Sequence, residues 1–182
     1  MTLIIDNFFS EEELMEFNKS FEEAGEETID NNQSHADLGR KAIQMKVMQI
    51  PKKANEIAGE GLTLKGINIV EYGSEFGKPN LPPHFDGDST DLIINVQLKS
   101  NTSWGVGVDK EVFYIEDNTA VIFNPNKHIH WRPRKEFKPG EFVRMAFLRY
   151  FNMDNPSDYS HLRYSIDHEI FSEINDLLDI QE

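Results

Sequence analysis

Two side chains that can bind a metal stand two positions apart in the stretch Pro82-Pro83-His84-Phe85-Asp86-Gly87-Asp88. In an extended segment, residues i and i+2 project from the same face, so the imidazole of His84 and the carboxylate of Asp86 would point the same way. One more histidine would complete the set of two histidines and one carboxylate that binds ferrous iron in oxygenases. The chain has no cysteine, so nitrogen and oxygen atoms must hold any metal.

The third ligand is expected far along the chain, where His128 and His130 are the two candidates. Because they are two positions apart, alternation along a strand places both on one face and does not choose between them. The context His130-Trp131-Arg132 and the shorter separation from Arg144 favour His130, with His128 as the alternate. The competing interpretation of His84 and Asp86 is a turn in which the carboxylate caps the backbone.

Short strands separated by turn residues must position these side chains. Alternating or apolar runs predict strands at residues 44–50, 64–72, 91–98, 104–108, 112–115, 119–123 and 142–151. Many short strands with turn signals between them are typical of a β-sandwich or barrel and not of alternating strands and helices. In the 91–98 strand, Asn95 and Gln97 share a face, which indicates either a polar cavity or an ordinary exposed face.

Helices are predicted at both ends of the chain. Ser10 followed by Glu13 is a capping box, which predicts a helix over residues 10–23 with Leu14, Phe17 and Phe21 on its inner face. Apolar residues at helical spacing predict a C-terminal helix over 167–180 that packs on the sheet or on a second subunit. The polar, acidic segment 25–39 is expected to be an exposed loop.

Charge and composition exclude several kinds of partner. The 182-residue chain carries 32 acidic and 18 basic residues, and its net charge of −14 disfavours nucleic acid and anionic membrane surfaces. The start, MTLIIDNFF, lacks the features of a secretory signal, so we expect a cytoplasmic protein without a membrane span. Basic residues cluster within 127–138, as a cationic rim near the metal ligands or as a solvated loop. Oligomeric state stays open.

Several motifs occur together along the chain. They are Ile5–Glu12, Tyr72-x-x-x-Glu75-Phe76 leading to His84-x-Asp86, Thr119–Phe123, His130-Trp131-Arg132, and Gly140 followed by Arg144. This set resembles the Fe(II)/2-oxoglutarate-dependent dioxygenases, and most closely their prolyl 4-hydroxylase-like branch, over about residues 3–151. The resemblance implies a mainly β (α+β) double-stranded β-helix, the jelly-roll or cupin-like fold, with flanking N-terminal and C-terminal helices. One domain is expected over 1–182, with its core at about 64–151.

The resemblance also implies roles for individual residues. His84, Asp86 and His130 would bind Fe(II), and Arg144 would pair with the far carboxylate of 2-oxoglutarate. A planar guanidinium suits that role because it can donate two parallel hydrogen bonds to a carboxylate. Arg149 competes with Arg144 for this role. In an alternating strand the two lie on opposite faces, so only one of them can point into the barrel, and the spacing from the distal histidine favours Arg144.

Further residues are expected around the co-substrate. Tyr72 matches a tyrosine that lines the co-substrate pocket in the resembled family, and Asn95 is a second candidate for that lining. Arg132 shares a face with His130, so it would bind substrate or form a surface ion pair. Trp104 and Trp131 are expected in the core.

The implied activity is hydroxylation of a C–H bond in a peptidyl or free amino acid, with release of succinate and CO2. It would use Fe(II), 2-oxoglutarate and molecular oxygen, and it allows ascorbate as a reductant. The substrate would be a small molecule or a peptide. Two alternatives remain at this level: a jelly-roll module that binds metal without redox activity, and a structural or interaction protein.

Overall fold

The computed structural model describes residues 1–24, 40–45, 51–79 and 81–154, and also 156, 158–159, 172–174 and 177–178. The helices in these ranges are α1 (Glu11–Glu23) and α2 (Lys52–Ala58), a short 3-10 turn spans Ser74–Phe76, and residues 172–174 are also helical. The strands are β1 (Leu3–Ile5), β2 (Arg40–Met45), β3 (Thr63–Gly73), β4 (Leu92–Ser100), β5 (Val106–Val108), β6 (Glu111–Phe113), β7 (Ala120–Phe123), β8 (His130–Trp131) and β9 (Phe142–Phe151). No helix formed by the described residues has the length and hydropathy needed to span a membrane.

The strands form two antiparallel sheets. The larger sheet has the order β1-β7-β4-β9-β3-β2, and the smaller one has the order β6-β5-β8. Strands distant in sequence therefore lie side by side, with β9 between β4 and β3, which is the long-range pairing of a jelly roll. The predicted mainly β, jelly-roll fold class is confirmed.

Each long strand of the larger sheet has one face in each of two apolar clusters. On the outer face, Ile94 and Leu148 pack with the aromatic side chains of α1, Phe17 and Phe21. On the inner face, alternate residues of the same strands, such as Ile93, pack toward the smaller sheet. The inner face is therefore the inside of the barrel, where the sequence pattern predicts the ligands.

The N-terminal helix has the predicted cap. The hydroxyl of Ser10 accepts a hydrogen bond from the amide of Glu13, and the Glu13 carboxylate accepts one from the amide of Ser10. The predicted C-terminal helix and the predicted 25–39 loop lie mostly or wholly outside the described residues. Two described residues of the C-terminal segment, Ile174 and Leu178, are buried in one apolar cluster with Trp131.

Candidate active site

Three potential metal ligands converge where the 84–86 segment meets β8. His84 and His130 form an antiparallel bridge, in which each backbone amide donates to the other residue's carbonyl at 3.1 and 3.0 Å. Nε2 of His130 lies 3.1 Å from Oδ1 of Asp86, and Nε2 of His84 lies 3.8 Å from the same oxygen. One ligand atom from each residue falls within 4.8 Å of the other two. Two imidazoles and one carboxylate therefore face a common point, as in a facial iron site.

Backbone carbonyls set the orientation of both imidazoles. Nδ1 of His84 lies 2.7 Å from the carbonyl oxygen of Pro82, and Nδ1 of His130 lies 3.3 Å from that of His128. A carbonyl oxygen can only accept, so each Nδ1 must carry the proton and donate it. In the neutral ring this leaves the lone pair on Nε2, the atom that points toward Asp86. Both histidines thus turn Nε2, the atom that would bind a metal, toward Asp86. In His130 this atom donates to the Asp86 carboxylate, and a bound metal would take the place of that proton.

Asp86 is set up to remain ionised. Burial alone would raise the pKa of its carboxyl, but the hydrogen bond from His130 and the positive charges of His130 and Arg149 outweigh burial and lower the pKa to about 2. Its second oxygen, Oδ2, is buried and has no hydrogen-bond partner. A buried carboxylate oxygen without a partner is costly, and a bound cation would relieve that cost. The donor set therefore fits a divalent metal.

Burial also shifts the pKa of His84, by disfavouring its charged form. It lowers the pKa of the imidazole from its usual value of 6.5, and the charge of His130 lowers it further. His84 is therefore biased toward the neutral form at neutral pH. Neutral imidazole is the form that binds a metal.

The turn after Asp86 is fixed by Asn126, which the sequence pattern did not single out. The side-chain oxygen of Asn126 accepts a hydrogen bond from the amide of Gly87 at 2.8 Å, and its amide group donates to the carbonyls of Asp88 and Thr90. Gly87 has a φ of +61°, which favours glycine at this position. Turn-forming Asn124-Pro125-Asn126 in the sequence was the available signal for this contact.

His128, the alternate ligand, lies outside the cluster. Its Nδ1 is 2.6 Å from Oδ2 of Asp109, and its Nε2 is 2.8 Å from the N-terminal amine of Met1. Both ring nitrogens are therefore engaged elsewhere. Of the two candidates, the structure brings His130 and not His128 to His84 and Asp86.

A cavity of about 130 Å3 opens beside the three ligands. Tyr72 and Asn95, both predicted to line the co-substrate pocket, lie in its wall. Oδ1 of Asn95 is buried without a hydrogen-bond partner. Apolar side chains from facing strands complete the wall, among them Phe123 and Phe147. The cavity therefore combines an apolar wall with polar groups from Tyr72 and Asn95.

Arg132 points into this cavity and is almost fully buried, with 7% of its surface exposed. Its NH1 group donates to the carbonyls of Trp104 and Gly105, and its guanidinium carbon lies 4.7 Å from the Trp104 ring centroid. Its NH2 group has no hydrogen-bond partner. Burial lowers its pKa to about 10, and no carboxylate among the described residues counters that shift. Arg132 thus remains a cation at neutral pH, and it is not the surface ion pair that was one of its two expected roles.

Arg144 does not lie in the cavity, which corrects the expectation that it faces the co-substrate. It stands opposite Glu71 in the pairing of β3 with β9, and its NH2 group lies 2.7 Å from the Glu71 carboxylate. NH1 is 3.2 Å from the carboxylate of Glu22 in α1, and the guanidinium lies over the ring of Phe21. Arg144 therefore joins α1 to the outer face of the larger sheet. Its two acidic partners already neutralise it.

Arg149 lies on the inner face and lines the cavity. It is an odd number of positions from Arg144 on the same strand, so the two side chains point to opposite faces. Arg40, at the start of β2, also lines it. Arg40 was missed because the predicted strand began four residues later, at Gln44. Its alternation with Ala42, which also lines the cavity, was the signal that could have identified it.

Comparisons with known proteins support the fold. No protein-family model matches the chain, and no curated protein sequence matches it significantly. Among solved structures, the chain is similar to the viral collagen prolyl hydroxylase vCPH from Paramecium Bursaria Chlorella virus-1, with a TM-score of 0.61 and 12% identity over 84% of this chain and 90% of that one.

Two other solved structures give comparable matches. A 2OG-Fe(II) oxygenase family oxidoreductase from Burkholderia pseudomallei has a TM-score of 0.57 and 10% identity over 87% of each chain. HygX from Streptomyces hygroscopicus, solved with nickel and 2-oxoglutarate bound, has a TM-score of 0.58 and 11% identity over 84% of this chain and 83% of that one. At these identities the likeness establishes the jelly-roll fold that these oxygenases share.

Proposed function

We propose that this chain is an Fe(II)- and 2-oxoglutarate-dependent dioxygenase of prolyl 4-hydroxylase-like type. It would hydroxylate a C–H bond of a peptidyl or free amino acid and release succinate and CO2. One observation carries the proposal: His84, Asp86 and His130 converge beside a buried cation, Arg132, in a single cavity. The fold shared with 2-oxoglutarate oxygenases, one of them solved with 2-oxoglutarate bound, supports it.

The three ligands would hold the iron on one face. The ligand atoms would be Nε2 of His84, Nε2 of His130 and a carboxylate oxygen of Asp86. The carbonyls of Pro82 and His128 keep the two imidazoles oriented. When bound, the iron and 2-oxoglutarate would together supply oxygen activation, with one oxygen atom entering the substrate and the other entering succinate. The apolar wall beside the ligands would exclude water from this chemistry.

Arg132 would bind the far carboxylate of 2-oxoglutarate, the role that the family resemblance implied for Arg144. Arg144 is already neutralised on the outer face, whereas Arg132 is a buried cation whose NH2 group lacks a partner. A buried charge is stabilised by an opposite charge, and a carboxylate would supply both the charge and the missing acceptor. The NH1 group, held by the carbonyls of Trp104 and Gly105, fixes the guanidinium in place.

Arg132 lines the same cavity as the three metal ligands, so a diacid bound to the metal would have its far carboxylate in the same cavity as the guanidinium. The guanidinium lies 6.0 Å from the ring centroid of Tyr72, which pairs with Val143 near the start of β9. Arg132 stands two residues after His130 and directly follows β8, so this short segment would contribute both a metal ligand and the carboxylate partner.

Succinate production tests the proposed function. The iron-loaded protein is incubated with 2-oxoglutarate, oxygen and ascorbate, alone and with a panel of amino acids and proline-containing peptides, and succinate is measured. We expect succinate from the wild type, none from His84→Ala, and wild-type yield from the matched control His128→Ala. Iron binding without any 2-oxoglutarate binding would instead support a metal-binding module, and the absence of both would remove the proposal.

A further inference from the structure

The cavity holds more positive charge than iron and 2-oxoglutarate would require. In the proposed enzyme, a divalent metal, the carboxylate of Asp86 and the guanidinium of Arg132 would be balanced by the two negative charges of 2-oxoglutarate. Arg149 and Arg40 line the same cavity, and 2-oxoglutarate would not neutralise their positive charges. In a protein whose net charge is −14, two further cations at one cavity indicate a second anionic ligand.

Arg149 is the better placed of the two to receive that ligand. It comes from β9, between β3 and β4, and its side chain lines the cavity while 37% of its surface is exposed, so it joins the cavity to solvent. Its NH1 group is 3.8 Å from the carboxylate of Asp88, which is too long for a hydrogen bond. Its Nε group is buried without a hydrogen-bond partner. The planar fork is therefore available to a carboxylate.

Asp88 does not satisfy Arg149. One Asp88 oxygen accepts the amide of Thr90 at 2.8 Å, and the other is 3.9 Å from the amine of Lys65. Asp88 is thus shared between a turn and two distant cations. Arg149 also helps to lower the pKa of Asp86, but the hydrogen bond from His130 and the charge of His130 act more strongly. Keeping Asp86 ionised does not by itself account for Arg149.

The size of the cavity separates the two ligands. Its volume of about 130 Å3 is that of about four water molecules in the liquid, which is room for one small ligand. The co-substrate would therefore fill the inner part, between the metal ligands and Arg132. A substrate would enter at the open side, where Arg149 lies.

We propose that the substrate carries a free carboxylate and that Arg149 binds this group at the mouth of the cavity, with Arg40 adding positive potential. This inference rests on the proposed function and narrows it. A free amino acid or another small carboxylic acid fits Arg149, whereas a residue inside a peptide has no carboxylate at its backbone to offer. Arg149 would then place the substrate beside the metal and act as a specificity-determining residue.

The test uses acetate as a probe and acetamide as its neutral isostere. The full chain is loaded with Mn(II), which is paramagnetic, and saturated with 2-oxoglutarate, whose affinity is measured first by calorimetry. Broadening of the methyl proton signal then reports binding of each probe near the metal. The variants are Arg149→Gln, Arg149→Lys and, as a matched control that removes an arginine charge outside this cavity, Arg134→Gln.

We expect acetate to be broadened more than acetamide in the wild type and in Arg134→Gln. Arg149→Gln should weaken acetate binding about tenfold, the loss expected for one charge-assisted contact, and Arg149→Lys should restore part of it. The affinity for 2-oxoglutarate should be unchanged in Arg149→Gln. That combination supports a carboxylate site at Arg149 that is separate from the co-substrate site.

Three results would overturn the inference while leaving the proposed function intact. They are equal broadening of acetate and acetamide in the wild type, an unchanged acetate signal in Arg149→Gln, and a loss of 2-oxoglutarate affinity in Arg149→Gln. The last would make Arg149 the co-substrate anchor. Failure of 2-oxoglutarate to bind the wild type would reject the proposed function, and the substrate site would fall with it.

Discussion

Replacing Arg132 by glutamine should weaken 2-oxoglutarate binding far more than it weakens the fold. The substitution removes the buried charge and the unpartnered NH2 group that would meet the carboxylate. It also removes two hydrogen bonds to the carbonyls of Trp104 and Gly105, each contributing about 1 kcal/mol. That loss is partly offset because the metal-free protein no longer buries a cation without a counter-charge. The net change in the free energy of unfolding without ligand should be about 1 kcal/mol.

The effect on binding follows from the contact that is lost. Truncating one partner of a buried, hydrogen-bonded charge pair costs about 2–5 kcal/mol, so a loss of about 3 kcal/mol is expected, or about a hundredfold in Kd. At a 2-oxoglutarate concentration of 100 times the wild-type Kd, the wild type gains about 2.7 kcal/mol of stability. At that concentration Arg132→Gln is only half saturated and gains about 0.4 kcal/mol.

Urea unfolding of the metal-loaded protein, with and without 2-oxoglutarate, measures both quantities. Arg144→Gln is the matched control, because it removes an arginine from the outer face. It should lower the free energy of unfolding by about 3 kcal/mol, since it breaks the close pair with Glu71, while changing the Kd for 2-oxoglutarate by less than about threefold. The opposite pattern, with affinity lost in Arg144→Gln and kept in Arg132→Gln, would refute the reasoning.

Three further predictions concern the metal ligands and the strand beside them. His130→Ala should reduce Mn(II) or Fe(II) affinity by more than the roughly 10- to 100-fold that loss of an outer partner costs, and His128→Ala should leave it nearly unchanged; equal losses in calorimetry would contradict the assignment of His130. In the metal-free protein, the pKa of His84 is lower in the folded state than in the unfolded state. As the pH falls below 6.5, the unfolded state therefore binds a proton at His84 before the folded state does. The free energy of unfolding should therefore decrease from that pH down to the lowered folded-state pKa, and urea midpoints should show a flatter pH dependence in His84→Asn. Gly107→Ala would place a methyl group against the ring of Trp131, next to His130, and should cost about 2 kcal/mol, whereas Gly61→Ala, which meets no neighbouring atom, should be close to neutral by urea unfolding.

The sequence pattern was informative wherever local chemistry and strand period agreed. His84 and Asp86 share a face because they are two residues apart, and the structure brings His130 to them through backbone pairing with His84. The Ser10–Glu13 cap of α1 was also readable, because the capping box is a local interaction. These features depend on few long-range contacts.

The inner and outer faces of β9 could not be assigned in the same way. This strand is apolar on both sides, since one face packs under α1 and the other lines the barrel. Alternation separates Arg144 from Arg149 but does not say which one points inward. Glu71 and Glu22, which hold Arg144 outside, are 73 and 122 residues away along the chain, and no local pattern connects them.

Arg132 illustrates the same limit. Its separation of two residues from His130 correctly placed both side chains on one face. Its burial, however, depends on the carbonyls of Trp104 and Gly105 and on the Trp104 ring. Those groups belong to the two residues just before β5, and the pairing of β5 with β8 brings them near.

The most direct measurement is an anaerobic titration of the protein with Fe(II) and 2-oxoglutarate, followed by visible absorption. Chelation of Fe(II) by a 2-oxo acid produces a charge-transfer band that neither component gives alone. The proposed function predicts this band in the wild type and in His128→Ala, its loss in His84→Ala, and a higher 2-oxoglutarate requirement in Arg132→Gln. Absence of the band in wild-type protein, or a band of unchanged strength in His84→Ala, would contradict the proposed iron centre.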